Sequence, residues 1–478
     1  MNSKPKSYSI LYVDLDGTLL QTDSLWEQLI VLCKTPWHVF GALFMLLRGK
    51  THCKAYCLRH SGIPEISTLP KNEQVIRIIN EHHALGIPVI LATASLQEIA
   101  LSVKHEIKAI SGIIASTIDD NLKGEDKARA ILEHSEGKTF AYIGNDHSDF
   151  HVWKHADGIF YVGSSPSITK RLLNDYDHVT IIPTEKQSSV STFIRQIRLY
   201  QWIKNALVFL PAFMAHSITF NAIIPLSLTF LVFGLLASSV YVLNDLLDLQ
   251  SDRLHPRKKE RPLASGVISI PNGIVICIFL LTIALLIGFF FLPINVLYVL
   301  LAYSVVTTFY SLYGKKVAIL DVMLLAGLYT LRLIAGAETV QVPLSEWLMG
   351  FSMFFFVSLA FVKRYSEILS RKESLNQLPG RGYGVGDESI LLTAGLASAM
   401  LSILVLALYI NSEAVIRLYK HPNYLWVLCP AILTWLLQLW FLAHRGKMHD
   451  DPIITMARTP MTYVVLCIIV STIIIATV

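Results

Sequence analysis

The chain has 478 residues, 53% of them hydrophobic and 16% charged, with a mean hydropathy of +0.51 and a formal net charge of +5. That balance excludes an ordinary soluble globular protein and points to a polytopic membrane protein. The net charge is too small to suggest a nucleic-acid partner, and six scattered cysteines give no disulfide framework. Hydrophobicity is uneven. Residues 1 to about 195 are mixed in composition and the remainder is a series of long apolar runs, so two domains are expected: 1–180, a polar linker at 181–194 (beginning IIPTEKQSSVST), and 195–478.

The start, MNSKPKSYSILYVDLDGTLL, is basic but carries no long apolar segment before Asp14, so a signal peptide is not expected and the first domain is placed in the cytosol. SILYV predicts a strand that ends at Asp14, with Asp16 two residues on, close enough to share a cation. IPVILATAS predicts a second strand ending at Thr93, and FAYIGNDHSDF a third ending at Gly144, Asn145, Asp146 and Asp149. Strands that each carry a polar group at the C-terminal end, with helices between them, predict a doubly wound α/β domain whose ligands bind at that edge. Within residues 22–80, a small helical cap is expected. Its run TPWHVFGALFMLL is apolar enough for a membrane surface, although packing in the cap core is the favoured expectation. Cys53 and Cys57, one helical turn apart, are read as cap packing.

The DxDGT run with these strand ends resembles the haloacid dehalogenase (HAD) phosphatase superfamily over residues 8–163. The resemblance implies a Rossmannoid parallel sheet with a cap. Asp14 would be the nucleophile that becomes an aspartyl-phosphate and Asp16 the general acid/base. Thr93 and Lys123 would hold the phosphoryl group, with Lys127 the alternative lysine. Asp14 and Asp16 would bind Mg²⁺ together with Asn145, Asp146 or Asp149. The family's Gly-Asp is Gly144-Asn145 in this chain, which leaves open which of the three side chains serves.

The second domain shows apolar segments near 201–216, 222–243, 272–292, 294–313, 319–337, 345–362, 390–410, 423–443 and 460–478, predicting about nine transmembrane helices. With the first domain in the cytosol, basic residues from Arg253 to Arg458 crowd the cytosolic loops, whereas only Arg417 and Lys420 fall opposite. This positive-inside pattern puts the C-terminus on the far side. The second span runs into NDLLDLQSD. If the helix continues, Asp245, Asp248 and Asp252 share one face, as do Asn244, Asp248 and Asp252. Such stacked carboxylates need a counter-charge, and Mg²⁺ bridging a diphosphate would supply it. Basic residues on the same membrane face, Lys315, Lys316, Lys363 and Arg364, could neutralise the remaining phosphate oxygens, and Arg332 is an intramembrane charge. The Gly-rich GRGYGVGDESI, residues 380–390, is read as a loop rather than a lid.

Asn244, Asp245, Asp248 and Asp252 in the NDxxDxxxD pattern resemble the first motif of the UbiA superfamily of intramembrane prenyltransferases, a nine-helix all-α bundle. The superfamily's usual second acidic pair is missing: YSLYGKKVAILD ends in Asp321, and Val317 stands four residues before it. That stretch, KRYSE at 363–367 and RPLASG at 261–266 resemble the decaprenyl-phosphate phosphoribosyltransferase branch. The resemblance implies Asn244, Asp245, Asp248 and Asp252 as Mg²⁺ and diphosphate ligands. It implies Arg261, Tyr310, Lys315, Asp321, Arg332, Lys363 and Arg364 as contacts to donor or lipid phosphate. The expectation is a bifunctional, Mg²⁺-dependent enzyme of a bacterial inner membrane. It would move phosphoribose from phosphoribosyl diphosphate to a polyprenyl phosphate, and its phosphatase domain would remove the 5-phosphate. The alternative is transfer of a prenyl group from prenyl diphosphate to an aromatic acceptor, with a separate or inert phosphatase domain.

Overall fold

The computed structural model describes residues 8–33, 35–183, 189–217, 219–255, 257–370, 382–448 and 451–478. Arg371, Lys372, Arg381 and the start of the 380–390 segment lie outside the described residues. The chain divides into two compact units: Met1–Ile197 with Tyr241–Cys277, and Arg198–Val240 with Ile278–Val478. The stretch carrying NDLLDLQSD therefore belongs to the same unit as the α/β fold, although the sequence assigns it to the membrane half.

In the first unit six strands form one parallel sheet of order β3-β2-β1-β4-β5-β6: β1 (Ile10–Val13), β2 (Val89–Leu96), β3 (Gly112–Ser116), β4 (Phe140–Gly144), β5 (Gly158–Val162) and β6 (Val179–Ile182). Every pairing is parallel, so helices must cover both faces, and β1 and β4 are buried at every position. The sheet reverses its order beside β1, where β2 and β4 flank it, and at such a switch the strand ends open a crevice. The covering helices are α1 (Ser24–Leu32), α2 (Pro36–Arg48), α3 (Lys50–Ser61), α4 (Glu73–Ala84), α5 (Gln97–Glu106), α6 (Glu125–Ser135), α7 (Phe150–Trp153), α8 (Pro166–Asp175) and α9 (Ser189–Gln196). β6 reaches Ile182 and α9 begins at Ser189, so the expected linker is short, and residues 184–188 lie outside the described residues.

Helices α1 to α3 form the cap. Asp23 caps α1 by accepting from Leu25 N–H at 2.8 Å, and Leu32, Ala42, Cys53 and Cys57 make a small core. Helix α4 instead sends Val75 and Ile79 into the core beneath the sheet, so it belongs to the α/β layer. One expectation fails in the cap. The outer face of α2 does not pack: Trp37 is 81% exposed, Phe40 66% and Leu47 85%. Only the opposite side, with Val39 and Ala42, meets the cap core, because three short helices have too little interior for so much apolar area.

The same unit contains the end of α11 (Phe220–Leu247), all of α12 (Leu249–Leu254) and the start of α13 (Ile270–Phe291). Ile30 of α1 is buried with Val242, Leu246, Leu249, Leu263 and Ile270, and Trp26 packs against them. Gly266 (φ +79°) lets the backbone approach this cap base: a Cβ there would lie 2.8 Å from the Gln21 carbonyl.

The second unit is helical. It holds α10 (Leu210–Met214), α14 (Ile294–Leu312), α15 (Leu320–Val340), α16 (Glu346–Leu369), α17 (Glu388–Ile410), α18 (Glu413–Leu418), α19 (Leu428–His444), α20 (Pro452–Ala457) and α21 (Pro460–Thr477), with most of α11 and α13. Among the described residues eight helices are long and apolar enough to cross a membrane, against the nine expected. The missing one is 201–216. Leu199–Phe209 is a 3₁₀ run and α10 adds only five residues, with Pro211 near its start. Lys204 and Asn205 are buried in that run, which explains why it is not a plain apolar span.

Candidate functional site

In the α/β unit the ends of β1, β2 and β4 and the start of α6 converge. Asp14 is buried, and Lys127 Nζ donates to its Oδ1 at 2.8 Å and lies 3.7 Å from Asp149. Burial pushes the Asp14 carboxyl up to about 6, against the pull of Lys127. Burial also opposes the Lys127 charge, but the Asp14 and Asp149 carboxylates outweigh it and hold the ammonium above its ordinary value. Lys127 is thus the lysine that meets Asp14, while Lys123 is exposed. Asp16 sits differently. Its carboxylate accepts from Ser95 Oγ at 2.5 Å, Ser24 N–H at 2.8 Å and Ser24 Oγ at 3.2 Å. Burial, reinforced by Asp23, pushes its carboxyl up to about 7, the range a general acid/base needs near neutral pH. Thr93 is buried within β2, which runs on to Leu96 instead of ending at Thr93 as expected, with a register shift between the two; its Oγ1 accepts from Ser95 N–H at 3.0 Å.

The three possible metal side chains separate clearly. Asp149 is filled: it accepts from Asn145 N–H at 2.8 Å, Asp146 N–H at 2.9 Å and Tyr142 Oη–H at 2.7 Å. Asp146 is exposed and caps the following 3₁₀ turn through His147 N–H at 2.7 Å. Asn145 is the one that lies against the Asp14–Thr18 loop, where a Cβ on Gly17 (φ +77°) would fall 2.3 Å from its Nδ2. Among the described residues no three His, Cys, Asp or Glu converge tightly enough to hold a metal ion. The fit rests on Asp14, the Asp16 backbone and the Asn145 amide, a set of hard oxygen donors suited to Mg²⁺.

Lys54 of α3 reaches this edge from the cap, a residue the sequence did not single out. Its ammonium donates to the Ala94 carbonyl at 2.6 Å and to Asn121 Oδ1 at 3.1 Å, with Asp16 and Asp23 within electrostatic reach. Partial burial lowers its pKa. A lone lysine in a helix of mixed composition gives no sequence signal that could have marked it.

The acidic motif lies in the same unit. Helix α11 ends at Leu247, and Asp248 (φ −97°, ψ 10°) starts α12, so the expected continuous helix breaks there. The i→i−4 bonds still run through the break, Asp248 N–H to Asn244 O at 2.9 Å and Asp252 N–H to Asp248 O at 2.8 Å. Arg261 Nη1 donates to Asp245 at 2.9 Å and to Asp252 at 2.5 Å, and Gln196 Nε2 donates to Asp245 at 3.2 Å. Two buried carboxylates meet on one guanidinium nitrogen, and among the described residues no third His, Cys, Asp or Glu joins them closely enough to make a metal-binding group. Arg261 is therefore paired with the acids. Next to Asp252, Arg253 makes a bidentate pair with Glu27 of the cap at 2.9 and 2.7 Å and donates to Ala264 O at 3.1 Å, while Thr22 Oγ1–H reaches Glu27 at 2.6 Å.

In the second unit Tyr310, Asp321 and Arg364 come together. Arg364 is fully buried, binds both oxygens of buried Asp321, and donates to Tyr310 Oη at 2.8 Å and Glu367 at 2.5 Å. Asp321 is thus committed to an arginine. Arg332 donates to Asn205 Oδ1 at 2.9 Å, Leu328 O at 2.5 Å and Tyr303 Oη at 3.1 Å, with the Tyr303 ring 4.9 Å away. Lys315 lies half-buried in the turn Gly314–Lys316. Lys363 is within reach of Asp451 and Lys204, which form a buried ion pair. Neither Lys204 nor Asp451 was singled out from the sequence, although a lysine inside an apolar run is a legible signal. Lys204 also borders an apolar cleft of about 350 Å³ lined by Ile203, Leu207, Phe213 and Ile453.

A polytopic helical bundle with an acidic span end, preceded in the chain by a doubly wound α/β domain with an Asp14–Lys127 centre, defines a membrane transferase. The chain belongs to the UbiA prenyltransferase family, whose profile matches residues 206–455, just over half of its length. It is similar along 93% of its length to the uncharacterized protein y4nM of Sinorhizobium fredii, at 34% identity and over 86% of that protein. A decaprenyl-phosphate phosphoribosyltransferase of Mycolicibacterium smegmatis is 35% identical over 37% of this chain and 58% of its own length. A solved UbiA homolog from Archaeoglobus fulgidus bound to GPP and Mg²⁺ aligns over 60% of this chain and all of its own, with TM-score 0.46 and 17% identity.

Proposed function

We propose that the chain transfers 5-phosphoribose from phosphoribosyl diphosphate to a polyprenyl phosphate and then removes the 5-phosphate. The observation that carries the reading is the commitment of Asp321 to Arg364. A second acidic site for a prenyl diphosphate is lacking among the described residues, while the single acid set at Asp245, Asp248 and Asp252 remains. Similarity to phosphoribosyltransferases of polyprenyl phosphate supports the same donor and acceptor. Mg²⁺, when bound among the acids, would neutralise the diphosphate. A lipid phosphate oxygen bonds to C1 of the ribose as the C1–O bond to pyrophosphate breaks. Lys315, Lys363 and Arg332 are assigned to the phosphates, and the cleft beside Lys204 to the first isoprenoid units. In the second reaction the Asp14 carboxylate bonds to phosphorus and the ester P–O bond breaks. Asp16 gives its proton to the leaving oxygen, then takes one from the water that hydrolyses the aspartyl-phosphate. Lys127 balances charge on the phosphoryl oxygens. We assign the bundle to a bacterial inner membrane, with the α/β unit on its cytosolic side.

The test uses full-length protein in detergent with Mg²⁺, a polyprenyl phosphate and radiolabelled phosphoribosyl diphosphate. Lipid-extractable label is expected, lost in Asp248→Ala. In Asp14→Asn the label should remain, on a product heavier by one phosphate. Label from prenyl diphosphate on an aromatic acceptor would replace this reading with the prenyl-transfer one. A further expectation concerns Lys54. Its removal in Lys54→Met should raise KM for the lipid-borne phosphate by about tenfold, with a smaller change in kcat, because it supplies binding rather than chemistry.

A further inference from the structure

Helix α2 presents Trp37, Phe40, Phe44 and Leu47 at i, i+3, i+7 and i+10, which is one helical face, with Leu43 beside it. All five are at least half exposed. A contiguous apolar face of large side chains is unusual on a soluble surface and calls for an occupant. Three further features say which. The cap that carries α2 is packed, through Ile30 and Trp26 of α1, onto Val242, Leu246 and Ile270, where two membrane-spanning helices end. The apolar face also ends in basic residues. Arg48 closes α2 with its guanidinium 5.3 Å from the centre of the Phe44 ring, and exposed Lys50 and Arg59 follow in α3. Finally, long basic side chains beside an apolar helix face, with Trp at its start, fit a lipid surface: the face enters the acyl boundary and the cations reach the headgroup phosphates.

We propose that α2 is an interfacial helix, lying in the headgroup layer of the bilayer that the chain itself spans and holding the phosphatase cap on the lipid surface. The inference stands on α2 and its neighbours and does not depend on the sugar or the lipid. Its consequence is that the Asp14 edge meets phosphate esters carried by membrane lipids in two dimensions. Soluble esters must arrive from bulk solution.

The test uses the full chain in vesicles of phosphatidylethanolamine and phosphatidylglycerol, with the exposed Cys33 and Cys467 replaced by serine. Spin labels are placed singly through Leu47→Cys, Phe40→Cys and Lys50→Cys. Labels at 47 and 40 should be open to oxygen and closed to a nickel chelate, at a depth of roughly 5–10 Å. The label at 50 should behave in the opposite way. Nickel access at 47 and 40 overturns the proposal, and so does shielding from both reagents, which would mean a second copy or a protein partner. In a second arm the exposed face is made polar in W37S/F40S/F44S/L47S. Turnover of a vesicle-borne phosphomonoester should fall by about tenfold or more, because surface capture is lost, while p-nitrophenyl phosphate turnover holds. An equal rate on the lipid-borne ester overturns the proposal. If wild type turns over no phosphate ester at all, the phosphatase reading fails, and the label depths still decide this one.

Discussion

Replacing Arg253 with methionine is expected to destabilise the α/β unit by about 3–5 kcal/mol, because it strands the Glu27 carboxylate in a buried position. The two side chains are 4% and 5% exposed, and the pair is bidentate, with Thr22 and the Ala264 carbonyl filling further bonds. Most of that cost is the unpaired charge rather than the worth of the pair. The double variant Glu27→Leu with Arg253→Met should therefore recover most of the loss. Thermal unfolding in detergent and tryptic cleavage within the cap would read both. Trypsin should cut Arg48 and Lys50 faster in the single variant. An Arg253→Met protein that melts with wild type would mean that the pair contributes nothing.

The second large effect lies at Asp14, the proposed nucleophile. Lys127→Met should lower phosphatase kcat by roughly a hundred- to a thousandfold, because it removes the fixed positive charge beside Asp14 from the site where phosphoryl charge must be held. Lys123→Met, on an exposed side chain, should change it by much less. Burst kinetics with p-nitrophenyl phosphate would measure the two. The reverse order would return the role to Lys123. The variant also removes the partner of a buried carboxylate, so folding must be checked beside activity; Lys127→Arg, which keeps the charge, should retain the fold and part of the rate.

The three strands β1, β2 and β4 were legible because they are short apolar runs carrying Asp14, Thr93 and Gly144, although β2 runs on to Leu96; β3, β5 and β6 were not singled out. The shared face of the acids was expected from spacing, and Asp245 and Asp252 do meet on Arg261 even though the helix breaks at Asp248. Pairings were not legible. Nothing in the order of residues tells that Arg261 bridges Asp245 and Asp252, that Arg364 occupies Asp321, or that Glu27 meets an arginine more than two hundred positions away. The choice between Lys123 and Lys127 turns on one helical turn: α6 starts at Glu125, so Lys127 projects from its first turn while Lys123 precedes it. The outer face of α2 was misjudged because a hydrophobic pattern gives amphipathicity but not what lies opposite.

The contact between α1 and the 242–270 stretch also bears on how the molecule is made. Residues of the cap leave the ribosome first, and their partners Val242, Leu246 and Ile270 follow roughly 200 residues later, on the order of ten seconds or more at ordinary elongation rates. During that interval Ile30 has no cover and Glu27 no cation. The sheet can close at once, since all six strands precede Pro183, but the cap base must wait until the first long span has been inserted and its end has come free. Completion of the cap base is thereby timed by the synthesis of the 242–270 stretch.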